Sequence, residues 1–364
     1  MPLKIVHCAD LHIGAPCQGL GTKLAAIRSG EIRDSLSHIA KFCREKGADA
    51  LLICGDLFDT PTPTKADADF VREVLSSLSP TDVFIVCGNH DYMCAQSVFS
   101  EQDYFSENVH IFPCFEHSFH LEDKNAVIWG KSYSSASVTP SFADCSFDRD
   151  KLNIMCLHGD IIPGSDYNII SKEALTSLAC SYAAFGHIHN GEIFEINGIK
   201  CAYPGTPEGH KFNDDGICGF IYAEISQNDT RIEQISLTKR KYTNIFLDVS
   251  GKNLSEIILS AREMLNDTDF FHLTLTGENC FGEEISAKYI RDELKNDAVY
   301  LEVSNETTYG YDLDIIEKEE SLRGLFLREL RSHTENEEEF TLAAKAGLDA
   351  LSGRIPSLES GGAL

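Results

Sequence analysis

Short segments rich in apolar residues alternate with helical patterns in this chain, and the alternation constrains its fold more than any other feature. Residues 3–8, 50–54 and 83–87 have the length and composition of strands. Between them, residues 24–46 and 66–78 carry apolar side chains at helical spacing. Continuous apolar strands separated by helices are typical of a partly parallel sheet covered by helices. The pattern therefore predicts an α/β fold.

Beyond Phe112 the pattern changes to a series of strands. These lie at residues 126–129, 153–157, 182–185, 193–196, 199–203 and 219–225. The pair Asn197-Gly198 between two of them is a strong hairpin signal. Together these strands predict a second, more antiparallel sheet packed on the first.

A further change near Lys239-Arg240-Lys241 divides the chain. Residues 1–240 form the predicted first domain, and residues 241–309 carry a β-α-β-α-β pattern that suits a small α+β domain. Residues 310–352 carry two helical patterns, and residues 353–364 are predicted to be a flexible tail. The predicted apolar faces of the two helical patterns are Ile315, Leu322, Phe326 and Leu330 in the first and Phe340, Ala344, Leu348 and Leu351 in the second.

Charge and cysteine usage limit the functional classes. The 364 residues carry a net charge of -26, which repels polyanions over most of the surface and argues against a general DNA-coating protein. An enzyme that meets phosphate through bound cations is not excluded, because each cation inverts the local field. The 13 scattered cysteines favour reduced core thiols over a disulfide scaffold. The chain has neither a signal-like start nor an apolar run long enough to span a membrane, so the expected location is the cytoplasm.

Residue types that commonly bind metals in proteins follow the predicted apolar strands. They occur as Asp10-Leu11-His12, Gly55-Asp56, Gly88-Asn89-His90-Asp91, His158-Gly159 and Gly186-His187-Ile188-His189. Open α/β sheets place their sites beyond the carboxyl ends of the strands, so these distant motifs can meet in one pocket. Asp, Asn and His together suit divalent manganese, iron or zinc. Two metals that share one carboxylate are a known device for cleaving phosphate esters, and the spacing predicts a two-metal phosphoesterase.

Any one of these motifs could instead serve only to cap a helix or form a turn, without binding a metal. Five motifs in a fixed order at strand ends disfavour that alternative. His7 is expected to be a packing or hydrogen-bonding residue. His210 and Lys211 follow the Tyr203-Pro-Gly turn, and solvated surface is favoured for them over contact with substrate.

The whole set of motifs resembles the calcineurin-like metallophosphoesterase superfamily. Within it, the motifs are similar to those of the SbcD branch, bacterial relatives of the double-strand-break repair nuclease, and especially to those of its YhaO-like exonucleases. The segments that carry the resemblance are 7–14, 55–59, 88–91, 186–189 and 203–208. The resemblance implies a two-sheet α/β/β/α metallophosphoesterase sandwich with a small α+β capping domain and a C-terminal helical segment that binds a partner.

The resemblance also implies a role for each motif residue. The first metal would be held by Asp10, His12 and His189, the second by Asn89, His158 and His187, and Asp56 would bridge both. His90 would protonate the leaving oxygen, and Asp91 would orient His90. Because the ligands mix nitrogen with hard oxygen, Mn²⁺ is the expected ion.

The function implied is that of a Mn-dependent DNA exo/endonuclease in DNA end processing and repair. An SbcC-type coiled-coil ATPase would be its partner, and the protein would be a homodimer. The metal motifs alone also allow a phosphodiesterase or phosphatase acting on small nucleotides or phosphoesters. A third alternative is a non-catalytic scaffold with a structural metal, which His90 disfavours because a structural site needs no acid.

Overall fold

The computed structural model describes residues 2–17, 19–138, 147–161, 172, 175, 180–214, 216–227, 229–279 and 285–354. The chain forms two compact units, Met1–Tyr242 and Thr243–Leu364. Most of the predicted tail lies outside the described residues.

The elements of the first unit follow one another as the alternation predicts. In chain order they are β1 (Leu3–Cys8), α1 (Thr22–Lys46), β2 (Ala50–Cys54), α2 (Lys65–Ser76), β3 (Asp82–Val86), β4 (Val109–Ile111), β5 (His117–Leu121), β6 (Ala126–Gly130), β7 (Leu152–His158), β8 (Tyr182–Gly186), β9 (Glu192–Ile196), β10 (Ile199–Tyr203), β11 (Gly219–Ile225) and β12 (Thr230–Ser236).

The first sheet has the strand order β12-β11-β1-β2-β3-β4. Strands β1 to β4 are parallel, whereas β11 and β12 are antiparallel to their neighbours. Leu36 of α1 and Val71 of α2 belong to the buried cluster that covers one face of this sheet. Leu52 and Ile154 belong to a second cluster, which packs the other face against the second sheet. The predicted α/β fold is confirmed.

The second sheet has the order β5-β6-β7-β8-β10-β9. Its inner strands β6, β7, β8 and β10 are parallel, and the edge strands β5 and β9 are antiparallel to them. The expected antiparallel character is therefore wrong. β7 and β8 are buried along their whole length, as strands of a covered parallel sheet are. The assignment of residues 219–225 to this sheet is also wrong, because β11 pairs with β1.

The hairpin signal at Asn197-Gly198 is confirmed. β9 and β10 are antiparallel, with Ile196 opposite Ile199. Asn197 and Gly198 have φ angles of 46° and 87°, the left-handed conformation that a tight hairpin turn requires.

The elements after Arg240 begin with the β-α-β-α-β pattern. They are β13 (Tyr242–Asp248), α3 (Leu254–Glu263), β14 (Phe270–Thr276), β15 (Glu278–Asn279), α4 (Ala287–Leu294), β16 (Tyr300–Asn305), β17 (Thr308–Tyr309), α5 (Leu313–Glu317), α6 (Leu322–His333) and α7 (Glu337–Leu351). β13, β14 and β16 form a three-stranded sheet, and the apolar residues of α3 and α4 belong to the same buried cluster as those of its strands.

The apolar face predicted for residues 315–330 is wrong at two positions, because Ile315 is 58% exposed and Leu322 is 68% exposed. The helix restarts at Ser321, whose side chain accepts from the Gly324 amide, so Ile315 and Leu322 lie in different helices. In α7 the predicted face is confirmed at Phe340, Ala344 and Leu348, whereas Leu351 is 44% exposed.

Two expectations from composition can be compared with the structure. The cysteines in the described part of the chain are free thiols, as the scattered pattern predicts. Among the helices that the structure describes, none has the length and apolar character of a membrane span.

Candidate metal centre

The predicted site residues meet at one end of the two sheets. Asp10 and His12 follow β1, Asp56 follows β2, Asn89 and His90 follow β3, His158 ends β7, and His187 and His189 follow β8. Because the strands that carry them are parallel within each sheet, their carboxyl ends lie at the same edge. Segments separated by up to about half of the chain therefore converge.

Asp10, His12 and His189 form the first cluster. One ligand atom from each lies within 4.8 Å of the other two. The Asp10 carboxylate also accepts the His187 amide at 3.0 and 3.1 Å, which fixes its orientation. Asp10 is fully buried, and His12 is 4% exposed.

The two imidazoles of this cluster present nitrogen lone pairs to each other. His12 Nδ1 lies 3.2 Å from Asp59 Oδ1, and His189 Nδ1 lies 3.1 Å from Asp214 Oδ1. Each Nδ1 therefore donates to a carboxylate, which leaves Nε2 of a neutral ring as an acceptor. The two Nε2 atoms are 3.2 Å apart, a distance at which two lone pairs repel unless a cation lies beside them. This arrangement fits a divalent metal ion.

Asn89, His158 and His187 form the second cluster. Asn89 Oδ1 lies 2.9 Å from His158 Nε2 and 3.1 Å from His187 Nδ1. His158 Nδ1 donates to the Cys54 carbonyl at 2.8 Å, so its Nε2 faces the amide oxygen. An amide oxygen with two ring nitrogens suits a second metal ion of the manganese, iron and zinc class.

Asp56 lies between the two clusters. Its Oδ2 is 3.9 Å from His12 Nε2 and 3.4 Å from His158 Nε2, while its Oδ1 accepts the His90 amide at 2.8 Å. Burial raises the pKa of Asp56, but the neighbouring His158 and His12 outweigh it and hold that pKa well below the usual range. The carboxylate is therefore anionic and lies within 4 Å of a ring nitrogen of each cluster.

The backbone at the centre is strained. The φ angles of four candidate ligands are positive, a region of backbone conformation that residues other than glycine rarely adopt. They are 54° at Asp10, 47° at His12, 52° at Asp56 and 96° at His187. Such conformations each cost on the order of 1–3 kcal/mol and persist where the surrounding structure enforces them. Here the amides of Asp10 and His12 donate to the carbonyls of Gly55 and Asp56, each at 3.0 Å.

Two glycines of the motifs leave room for these side chains. A Cβ atom at Gly88 would overlap Oδ1 of Asp56, and one at Gly186 would overlap the Cys54 carbonyl oxygen. A larger residue at Gly88 would displace Asp56, and one at Gly186 would push the end of β8 away from the end of β2.

His90 stands beside the clusters. Its ring lies edge-on to His12, with centroids 4.6 Å apart, and 45% of its side chain is exposed. Nδ1 lies 3.3 Å from the Asp59 carbonyl and 3.5 Å from Asp59 Oδ1. The hydrogen bond to Asp59 raises the pKa of His90 to about 9, so the ring holds a proton that it can donate.

The role of Asp91 differs from the one expected, and Asp59 contacts His90 in its place. The Asp91 carboxylate accepts four backbone amides and thereby holds the turn after β2. The carboxylate beside His90 is that of Asp59, to which no role was assigned from the sequence. The amides bound by Asp91 are those of Asp56, Leu57, Phe58 and Gly88.

The segment after β10 supplies further contacts that sequence reasoning missed. The Thr206 hydroxyl donates to the Asp10 carbonyl at 2.8 Å, and Asp214 holds His189. His210, expected at the solvated surface, lines a cavity of about 550 Å³ together with His12, His90 and Lys211. Only the position of Asp214 shortly after the Tyr203-Pro-Gly turn could have signalled these contacts.

Comparison with known proteins places this geometry in a family. The model of the calcineurin-like phosphoesterase family matches residues 3–220. The uncharacterized metallophosphoesterase YhaO of Bacillus subtilis is 25% identical over 284 residues, which cover 73% of this chain and 67% of YhaO. The SbcD component of the nuclease SbcCD of Bacillus subtilis is 22% identical over 258 residues, which cover 59% of this chain and 64% of SbcD.

The matched part of the chain spans about two thirds of the length of these relatives. Among solved structures, a dimetal phosphatase from Danio rerio aligns with a TM-score of 0.44 and 14% identity, covering 65% of this chain and 100% of that chain. The family model extends over more than half of the residues and includes every residue of both clusters. The chain therefore belongs to the calcineurin-like phosphoesterase family.

Proposed function

We propose that this protein is a Mn-dependent two-metal phosphodiesterase that cleaves DNA as an SbcD-type exo/endonuclease in DNA end processing and repair. The observation that carries the proposal is Asp56 between two ligand clusters, with His90 exposed beside them in the cavity. A nuclease component among the relatives supports DNA as the substrate.

The roles of the side chains follow from their contacts. Asp10, His12 and His189 would hold one ion, and Asn89, His158 and His187 the other, with Asp56 shared between them. Bound divalent ions supply charge neutralisation at the phosphoryl group and activation of water. His90 donates its proton to the leaving oxygen, and Asp59 keeps the His90 ring oriented for that transfer.

The nature of the metal is a separate part of the proposal. Manganese suits a ligand set in which imidazole nitrogens and hard oxygens are mixed. We expect Mn²⁺ to restore more activity to chelator-treated protein than Mg²⁺ or Ca²⁺, which prefer oxygen ligands. Equal restoration by Mg²⁺ would contradict this choice of ion.

The substrate is tested by comparing two hydrolysis reactions of the same preparation. One is the Mn-dependent release of nucleotides from linear duplex and single-stranded DNA, and the other is the hydrolysis of p-nitrophenyl phosphate esters. An Asp56→Asn variant, which removes the shared carboxylate charge, is the control for contaminating nucleases. Activity confined to the small esters would remove the nuclease proposal.

One observation favours the alternative substrate class of small nucleotides or phosphoesters. The chain has 57 acidic and 31 basic residues, so its surface repels long polyanions more than it repels a single phosphoester. The same pair of assays separates the alternatives, because a small-ester phosphatase leaves DNA intact.

The partners belong to the proposal as well. The C-terminal helices expose apolar side chains, with Ile315 58%, Leu322 68% and Leu325 56% exposed, which suits a surface that another protein covers. We propose that residues 310–352 bind an SbcC-type coiled-coil ATPase, that residues 241–309 form the capping domain, and that the protein is a homodimer. Co-purification of a large ATPase with this protein from the native host would support the ATPase partner, provided that a Leu322→Glu, Leu325→Glu double variant loses it. Sedimentation of the purified protein would test the dimer.

A further inference from the structure

The first cluster is held in part by residues 206–214, which lie between β10 and β11 and belong to neither a helix nor a strand. The Thr206 amide donates to the His189 carbonyl at 2.9 Å, and the Thr206 hydroxyl donates to the Asp10 carbonyl at 2.8 Å. At the other end of this segment, the Asp214 carboxylate accepts from His189 Nδ1 at 3.1 Å. Both ends of the segment therefore position members of the first cluster.

Arg28 of α1 holds the middle of the same segment. Its guanidinium donates to the Gly209 carbonyl at 2.7 Å through Nη2 and to Glu208 Oε2 at 3.0 Å through Nη1. Two bonds from one planar group fix the direction of the backbone as well as its distance. Because residues 206–214 lie outside the helices and strands, their position depends on tertiary contacts of this kind.

The Arg28 side chain is itself fixed in a buried network of charges. Its Nη1 also donates to Glu31 Oε2 at 2.6 Å. The second oxygen of each carboxylate is bound as well, since Glu31 Oε1 accepts from Arg240 Nε at 2.8 Å and Glu208 Oε1 accepts from the Lys239 amide at 2.9 Å. Because a buried charge is costly without its partners, this network keeps the Arg28 guanidinium in place.

Burial separates this role of Arg28 from substrate binding. Arg28 lies in the wall of the cavity, but only 1% of it is exposed, and its Nη1 and Nη2 both donate to protein oxygens. A phosphoester in the cavity would therefore meet other side chains. What Arg28 can influence is the position of the segment that it binds.

The second cluster has supports of another kind. His158 is the last residue of β7, its Nδ1 donates to the Cys54 carbonyl of β2 at 2.8 Å, and its own carbonyl accepts from the Tyr133 hydroxyl. Regular strands hold this ligand, whereas the first cluster is held in part by residues 206–214. A shift of that segment should therefore disturb the first ion position more than the second.

We infer that Arg28 is a positioning residue that sets the affinity of the first ion position through residues 206–214. The inference goes beyond the proposed function, because it gives α1 a part in metal binding. It rests on the proposed function for the presence of two ions, and it does not depend on the choice between DNA and small esters.

The experiment titrates the metal-free full chain with Mn²⁺ by calorimetry, without substrate, and follows the same titration by electron paramagnetic resonance. In Arg28→Met, which keeps the length of the side chain but removes its donors, one ion should bind about tenfold more weakly while the other stays within about twofold of the wild type. The signal of isolated Mn²⁺ should then appear at concentrations that give a coupled pair in the wild type.

A second variant covers the case in which Arg28→Met does not fold. Arg28→Lys keeps the buried positive charge but loses the planar fork that binds Glu208 and the Gly209 carbonyl together. It should fold and weaken the same ion by about threefold. The matched control is Arg33→Met, the same substitution in α1, where Arg33 donates to Asp67 of α2. This control should leave both Mn affinities unchanged.

Two outcomes would overturn the inference. One is wild-type affinity for both ions in the Arg28 variants, and the other is equal weakening of both ions, which would show a general effect on the fold. Failure of the nuclease proposal is seen separately, as wild-type protein that binds a coupled Mn pair but leaves DNA intact. Wild-type protein without such a pair would overturn the two-metal proposal and the inference with it.

Discussion

His90 differs from the candidate ligands of the centre in being exposed, whereas His12 and His158 are buried and His187 and His189 are half-buried. We expect His90→Ala to bind Mn at the wild-type level while kcat falls by about 10²- to 10⁴-fold, because it removes a proton donor and no ligand. Metal analysis and ester hydrolysis on the same sample check this. His120→Ala, at an exposed histidine of β5, is the control. Wild-type kcat in His90→Ala would refute the assignment of the acid.

Asp214 acts on the centre through His189. Its carboxylate fixes the Nδ1–H tautomer of that ring and so keeps Nε2 available for a metal ion. We expect Asp214→Asn to weaken Mn binding by about 10- to 100-fold, measured by titration with Mn²⁺. The control is Asp229→Asn, at a carboxylate whose side chain is 63% exposed and which pairs with Arg231. Equal Mn affinity in the two variants would contradict this role.

At the scale of single residues, sequence predicted the ligands better than the residues that orient them. Asp10, Asp56 and His189 lie in motifs at strand ends, and strand ends are visible in the apolar pattern. Asp59 and Asp214 lie in loops whose path depends on tertiary contacts, so no local pattern reveals what they touch. The resemblance implied that Asp91 orients His90, whereas the Asp91 carboxylate accepts backbone amides of the turn after β2.

Among the elements, β1 and β8 belong to different sheets and are joined through one buried histidine. His7 is fully buried, with Nε2 3.0 Å from the Phe185 carbonyl and Nδ1 2.9 Å from the Tyr182 hydroxyl. A carbonyl only accepts, so Nε2 carries the hydrogen and Tyr182 donates to Nδ1. The expected packing and hydrogen-bonding role of His7 is confirmed.

This histidine gives the stability a pH dependence of known sign. Burial lowers the pKa of His7 from 6.5 to about 3, so below pH 6.5 the unfolded chain takes up a proton that the native state refuses. The free energy of unfolding should therefore fall with decreasing pH, by up to about 1.4 kcal/mol per unit. Urea unfolding at about pH 6.5 and about pH 5 should show roughly 2 kcal/mol more loss in the wild type than in His7→Gln. Equal losses would show that His7 does not titrate in this way.

The pairing of strands was the part of the fold that sequence did not determine. Apolar composition identified β7, β8 and β11 as strands, but composition does not say which strand lies beside which. β11 returns to the edge of β1, more than two hundred residues earlier in the chain, and such long-range pairing leaves no local pattern. The turn at Asn197-Gly198 was predictable because its conformation depends on two adjacent residues alone.

At the scale of the whole molecule, charge predicts how salt affects catalysis. With a net charge of -26, the protein and DNA repel each other at distances beyond contact. Raising NaCl from about 20 mM to about 150 mM shortens the screening length. For the proposed DNA cleavage, kcat/KM should therefore rise or hold steady, in contrast to basic DNA-binding proteins. Hydrolysis of a small p-nitrophenyl ester over the same range is the control. A steep decline on DNA alone would indicate a basic binding surface that dominates the net charge.

Each of the two ligand clusters takes side chains from both sheets. The first has Asp10 and His12 after β1 with His189 after β8, and the second has Asn89 after β3 with His158 and His187 from β7 and β8. An ion bound by either cluster would cross-link the two sheets. A chelator should therefore destabilise this edge of the sheets as well as inhibit the enzyme. Hydrogen exchange on chelation should then quicken first in the amides of His12 and His187, while those in the middle of β2 and β7 stay protected.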